Sequence, residues 1–516
     1  MGDWVKGPRV PPVLSQSPSP PVPQSGTGVS FVLHESDRTC ARVELKGDTT
    51  SIRWDREAAA HLARRAGFGA TPAELDASVA MGVDAAVDQL VNYDAIDNSA
   101  LETALQALTT ATPPATAPVY DLSNINGVAK WFLHCMVFTR RPLEEKMTYF
   151  WNGHFTSGIA KVQGVTLMLN QNKTQRQYAL GSFDDLVVKM SQDAAMLVWL
   201  DNATSRVGRP NENYARELME LFTLGVDEYK QADVSEVARA LTGWTIQGYT
   251  GADNYNGAKF LDNPAFHDNG VKTILGQTGN WNGYDAIRII LEASDERGSV
   301  SGRFLSRKLW TYFAYHDPPD WAVQELTGVY VSSNRSIRAV VDRLFRMPEF
   351  YEAHARKVLV RSPIEYAAAL LRQLEAKTDM STPVNSLVAM GQPLFNPSDA
   401  KGPEGDMDWI NTGTVFARAS MTNTIVNNRG TTGTRIDLAQ LLAGKTLTTP
   451  TDVVNALADR LGLADAPPQV RATWAKYVDS KSDGSRGYWQ NTSAQLDQKA
   501  RGLIHLMLTS SDYHLC

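Results

Sequence analysis

The stretch from Asp201 to Gly225, DNATSRVGRPNENYARELMELFTLG, concentrates the side chains with the most chemistry to offer. Pro210 ends an extended lead-in, Asn211 carries the side-chain oxygen of a helix N-cap, and Gly225 suits a helix stop. Advancing about 100° per residue, the helix between them sets Glu212, Asn213, Arg216, Glu217 and Glu220 on one side. Tyr214, Ala215, Leu218, Met219, Leu221 and Phe222 fall on the other. Two readings of the polar side stand together. Glu212, Arg216 and Glu220 follow one another at four-residue spacing, which on a solvated face is a charge ladder worth about 0.2–0.5 kcal/mol per pair. Facing a cleft instead, Glu217 and Glu220 would bind a metal or act as general acid and base, while Arg216, Asn211 and Asn213 held an anionic substrate. Asp201 and Glu212 share the outer spacing of a calcium loop, but Ala203, Ser205 and a glycine at 208 break that pattern.

Two further clusters carry histidine. Residues 144–155, EEKMTYFWNGHF, read as an aromatic helix that ends near His154. Trp151, Phe150 and Phe155 are core material, and His154 is either a cation favoured by a helix C-terminus or a proton carrier in a site. Residues 266–273, FHDNGVKT, put His267 and Asp268 beside Lys272, a set suited to proton transfer or anion binding. The plain alternative is a polar reversal made by Asp-Asn-Gly. Imidazole and carboxylate together suit zinc, iron or manganese, so a divalent metal held by His154, Glu217, Glu220 and His267 is chemically permissible, although no spacing demands it. The chain has no HExxH, no ExxH pair of the di-iron kind, no GxSxG and no GxxxxGK[ST]. The cofactor, if there is one, is unknown from sequence.

These residues need elements to hold them, and the elements are helices. Thr71-Pro72-Ala73-Glu74 and Ser362-Pro363-Ile364-Glu365 each supply a hydroxyl at the N-cap, proline at N1 and glutamate at N3. Asp233-Val234-Ser235-Glu236 offers a similar cap, and Arg141-Pro142 opens a segment with Glu144 and Glu145 in its first turn, where the helix dipole favours anions. The expectation is a predominantly all-α globular body over residues 55–511 with long loops, and a C-terminal helical subdomain over 450–511 as an option. Residues 1–28, dense in proline and serine, are expected to be a disordered tail, and 29–54 a short β or irregular lead-in with one hairpin. Residues 248–263 and 392–405 read as long loops.

Composition narrows the function. The 516 residues are 43% hydrophobic and 21% charged, as in ordinary folded proteins. A net charge of −6 without a dense basic block gives nucleic-acid binding no electrostatic source. No apolar run approaches the roughly 18 residues of a membrane span. Three scattered cysteines make neither a disulfide framework nor a zinc site. The start lacks the basic-then-apolar pattern of a secretory signal, which reads as cytoplasmic, or as periplasmic or secreted if that start is truncated or misassigned.

Several blocks together resemble the bacterial family named domain of unknown function 1800, DUF1800. They are His61–Gly69 (HLARRAGFG), Pro142–Met147 through His154-Phe155, Asn211–Leu221 (NENYARELMEL), Ala240–Thr245 (ALTGWT), His267-Asp268 with Lys272-Thr273, and Gly391–Phe395 (GQPLF). The similarity covers roughly residues 55 to 510. Near Lys401-Gly402 the family usually continues with tryptophan and glycines, whereas this chain has Pro403-Glu404-Gly405-Asp406 before Trp409. The resemblance implies no reaction. It implies that members are often exported and that their genes often sit beside those of a sulfatase-like family of the DUF1501 type, a possible partner. The functional expectation is an enzyme with catalytic groups His154, Glu217, Glu220, His267 and Asp268 and substrate-binding groups Asn211, Asn213, Arg216 and Lys272. The alternative is a non-catalytic helical scaffold that binds a protein partner. Oligomeric state is not legible.

Overall fold

Capping chemistry places the helices. Thr71 and Ser362 each close a capping box with Glu74 and Glu365, opening the helices Pro72–Met81 and Pro363–Gln373, and Pro142–His154 begins on its proline. In the computed structural model, which describes residues 51–110, 120–248, 255–402, 405–481 and 483–516, the protein is predominantly α-helical. The tail over 1–28 and the hairpin expected near 29–45 lie outside the described residues.

Two sequence expectations change. Asp233 is not an N-cap: the helix is Gln231–Ala240, and the Asp233 carboxylate accepts from the Lys230 backbone N–H from the third helical position. The loop expected over 248–263 contains a strand, Lys259–Asp262, paired antiparallel with Trp244–Gln247. Four residues are too few to show a period, and tertiary pairing decides. Two more hairpins join Lys272–Ile274 to Gln277–Gly279 and Ser294–Asp295 to Gly298–Ser299. The first turns through Leu275 and Gly276, both at positive φ, the backbone that tight hairpins require.

Buried apolar side chains sort into two clusters. One gathers Leu62, Met147, Trp151, Phe222, Leu305 and Phe350, and the other Phe132, Tyr149, Ile364, Leu387, Leu457 and Leu503. Each such residue contributes about 1.5–3 kcal/mol by leaving water. Leu457 and Leu503 come from the helices Pro450–Arg460 and Ser493–Leu508, so the C-terminal helices share the core of Ile125–Phe138. The Pro142–His154 helix feeds both clusters, giving Met147, Phe150 and Trp151 to one and Tyr149 to the other. Tyr312 packs against both. The seam between the cores therefore runs along this helix, and a cleft opens there.

Candidate functional site

The helix after Asn211 is not uniform. It is α-helical over Glu212–Glu217 and π-helical over Leu218–Thr223. Thr223 Oγ1 donates back to the Leu218 carbonyl, and the backbone N–H groups of Leu224 and Gly225 both return to Met219 O, at 2.8 and 3.1 Å. The carbonyls of Leu221 and Phe222 are thereby left without a partner in their own helix, as at any helix C-terminus. Two side chains supply the missing donors: His154 Nε2 at 3.1 Å from Phe222 O, and Lys308 Nζ at 3.2 Å from Leu221 O. Lys308 Nζ also lies 3.2 Å from His154 Nδ1. A π segment is a common mark of functional sites. Here it turns two carbonyls toward a lysine and a histidine.

The electrostatics of this group follow from burial. His154, enclosed by Phe150, Trp151, Phe155, Phe222 and Phe304, is held well below the ordinary histidine value by burial first and by the neighbouring ammonium second. It is a neutral ring and not the helix-end cation that sequence allowed. With Nε2–H given to Phe222, Nδ1 is the acceptor for Lys308. Burial draws the Lys308 amine down to about 8. No carboxylate forms an ion pair with Lys308 among the described residues, and of its three donors two are placed by Leu221 and His154.

Lys308 and His154 line a cleft of about 450 Å³ with Arg65, Tyr149, Phe150, Tyr312, Val360 and Trp409 among its walls. Its other charged side chains already have partners. Lys146 pairs with Glu365 beneath the floor, Asp406 pairs with His316 at 3.0 Å, and Arg307 pairs with Asp320 at 2.9 Å. Arg65 is spent on the Phe313 and Tyr312 carbonyls and the Cys516 thiol. Asp406 also accepts from the Val360 N–H, which ties the 405–410 segment to the rim. Tyr149 links Ser362 and Gln392 through its hydroxyl and separates this cleft from a second, of about 460 Å³, lined by Asn152, Ser157, Gln392 and Asn396. Gly402, at φ +84°, lets the chain pass where an added Cβ would stand 2.3 Å from Gly153 O.

The remaining sequence candidates are placed as follows. Glu217, at the end of the α segment, and Glu220, within the π segment, are half-buried. Burial and Glu220 raise the Glu217 carboxyl, while Arg216 and Lys401 oppose that rise. Glu220 accepts from Tyr229 Oη at 2.6 Å. Arg216 reaches Glu212 and Gln231. Asn211 caps its helix through Asn213 N and donates to Asp201 O, and Asn213 donates to Leu200 O. His267 Nδ1 is 2.9 Å from Thr242 O. Asp268 grips Arg239 with both oxygens, which holds its carboxyl down at about 2, and accepts from Gly270 N. Lys272 is buried and donates to the carbonyls of Asp268 and Gly270. His267, Asp268 and Lys272 thus tie a turn to the Gln231–Ala240 helix.

The four-residue metal set is not assembled. Among the described residues no three His, Cys, Asp or Glu side chains gather to hold an ion. The reason is local: both ring nitrogens of His154 are occupied by Phe222 and Lys308, and Nδ1 of His267 by Thr242.

Sequence reasoning missed Lys308. The signal was present in the helix Val300–Phe313, where Lys308 has Phe304 four residues before it and Tyr312 four after, an aromatic stripe with an ammonium in its middle.

Comparison with known proteins agrees with the blocks read from sequence. The family described as Protein of unknown function (DUF1800) matches residues 61–515. No curated protein and no solved structure matches the chain. No helix among the described residues is long and apolar enough to cross a membrane.

Proposed function

The chain belongs to the DUF1800 family of proteins of unknown function, and we propose that it is an enzyme that carries out proton-transfer chemistry on a small acid-bearing substrate in the His154–Lys308 cleft. The carrying observation is Lys308, a half-buried amine on the cleft wall without a carboxylate paired to it among the described residues. An ammonium in that position favours an anionic ligand group, and the deprotonated amine, abundant near pH 8, is a competent general base or nucleophile. The walls Tyr149, Phe150, Tyr312 and Trp409 suit an apolar or aromatic body attached to that acid group. His154 acts through Lys308 and is a positioning residue: its neutral Nδ1 fixes the amine against the end of the π segment. Glu217 and Glu220 enter this reading as an acidic border, and His267, Asp268 and Lys272 as a structural tie. Competitive acetylation of the lysines across pH tests the proposal. Lys308 is expected to react with a midpoint near 8, and a midpoint at the ordinary lysine value of about 10.4 would reject it.

A second reading, a scaffold that docks a protein such as the sulfatase-like partner implied by family association, draws on one observation. Val388 and Phe416, on the helices Ser381–Ala389 and Thr412–Asn427, are 63% and 75% exposed. Large apolar side chains left in water favour a partner surface. Co-purification from the native host that a Phe416→Ser variant loses, with Lys308 reactivity ordinary, would favour that reading over the enzyme.

A further inference from the structure

Behind the wall of the cleft the fold buries arginines that form no ion pair among the described residues. Arg64, on the Arg56–Arg65 helix, and Arg361, just before Pro363–Gln373, are 6% and 4% exposed. Arg64 Nε and Nη2 and Arg361 Nη1 have no hydrogen-bond partner, and neither guanidinium forms an ion pair among the described residues. Both side chains line one cavity of about 10 Å³, together with Gly67, Phe68, Glu365 and Cys516. Among the described residues the one carboxylate side chain in that lining is committed elsewhere, because Glu365 accepts from Lys146 and from the backbone N–H of Ser362. Arg418, fully buried, donates to the Arg361 carbonyl at 2.8 Å and brings a third guanidinium to the group.

Guanidinium keeps its proton, so these charges persist in the folded state. Buried donors without partners are rare, and buried charges without counter-charges rarer still. The cavity has room for about one water-sized particle, which excludes phosphate, sulfate and any carboxylate-bearing molecule. A water would meet the hydrogen-bond requirement but add no negative charge at contact distance, where Arg64 has only the more distant Asp465 and Glu57. We propose that the cavity is a binding site for a single monatomic anion, a halide bridging Arg64 and Arg361. It stands apart from the chemistry of the cleft and does not depend on it.

Crystals grown in sodium bromide and measured at the bromine absorption edge test the site. An anomalous peak between Arg64 and Arg361 is expected, and a cavity without one overturns the proposal. In solution, the melting temperature in sodium bromide is expected to exceed that in sodium gluconate at equal ionic strength by about 3 °C or more, as for any ligand that binds only the folded state. Arg64→Gln abolishes that difference. Equal melting temperatures of the unsubstituted protein in the two salts overturn the proposal, and should Arg64→Gln fail to fold, the crystal measurement decides.

Discussion

Lys308 Nζ and His154 Nδ1 lie 3.2 Å apart at the end of a π-helical turn whose Leu221 and Phe222 carbonyls hold the same two side chains. Each group constrains the other. Burial and then the ammonium keep the ring neutral, the ring fixes the amine, and the π segment that carries Glu220 supplies both anchors.

A neutral His154 sets a pH dependence. Below about 6.5 the unfolded chain binds a proton that the folded ring refuses, so stability from this group is intact above that pH and declines as pH falls toward the depressed folded value. Nitrogen-15 NMR of labelled histidine at pH 5.5 is expected to show a neutral ring protonated at Nε2. An imidazolium signal there contradicts the assignment.

Lys146 and Glu365 form an ion pair under the cleft, with Lys146 fully buried. Lys146→Met leaves Glu365 without its ion-pair partner, and is expected to cost about 3–5 kcal/mol in urea unfolding, most of which Lys146→Met combined with Glu365→Gln recovers. The carboxyl is held down at about 2, so its contribution is complete above the unfolded value near 4.5 and is lost as pH falls from there. A single substitution without effect would show that the pair is not buried.

Gly402 is tested by alanine. Its φ of +84° and the closeness of Gly153 O leave no place for a methyl group. Gly402→Ala is expected to destabilise by more than about 1 kcal/mol and to alter Lys308 labelling, because the chain around Gly402 packs against the end of the His154 helix. Unchanged melting would contradict this packing.

Asp268 and Lys272 provide the control. Asp268→Asn and Lys272→Met remove contacts that tie the turn to Arg239 and to backbone carbonyls, so each is expected to lower the melting temperature. Neither should move the labelling midpoint of Lys308. A shift in that midpoint would return the turn to the site.

The helices were legible because their signals are local. Thr71 and Ser362 hold their caps within four residues, and the apolar face of Tyr214, Ala215, Leu218, Met219 and Phe222 is buried as its spacing requires. His154 was legible as a polar group in an aromatic run. Lys308 was not, because its meaning comes from a contact across 154 residues and from a π turn that no hydrophobic period announces. The strand Lys259–Asp262 was lost for the same reason, since its partner is fixed by tertiary packing around Trp244. His267, Asp268 and Lys272 sit side by side in sequence, yet their partners are set by the fold: Thr242 O for His267, Arg239 for Asp268, and the Asp268 and Gly270 carbonyls for Lys272.

Calorimetric titration of benzoate and of phenyl phosphate into the unsubstituted protein and into Lys308→Met, at pH 7, tests the central claim most directly. The account predicts saturable binding that weakens as pH rises through about 8 and at least about tenfold weaker binding in Lys308→Met, the loss expected for one charge-assisted hydrogen bond. Equal affinity in the two proteins, or no binding of either acid by the unsubstituted one, would contradict it.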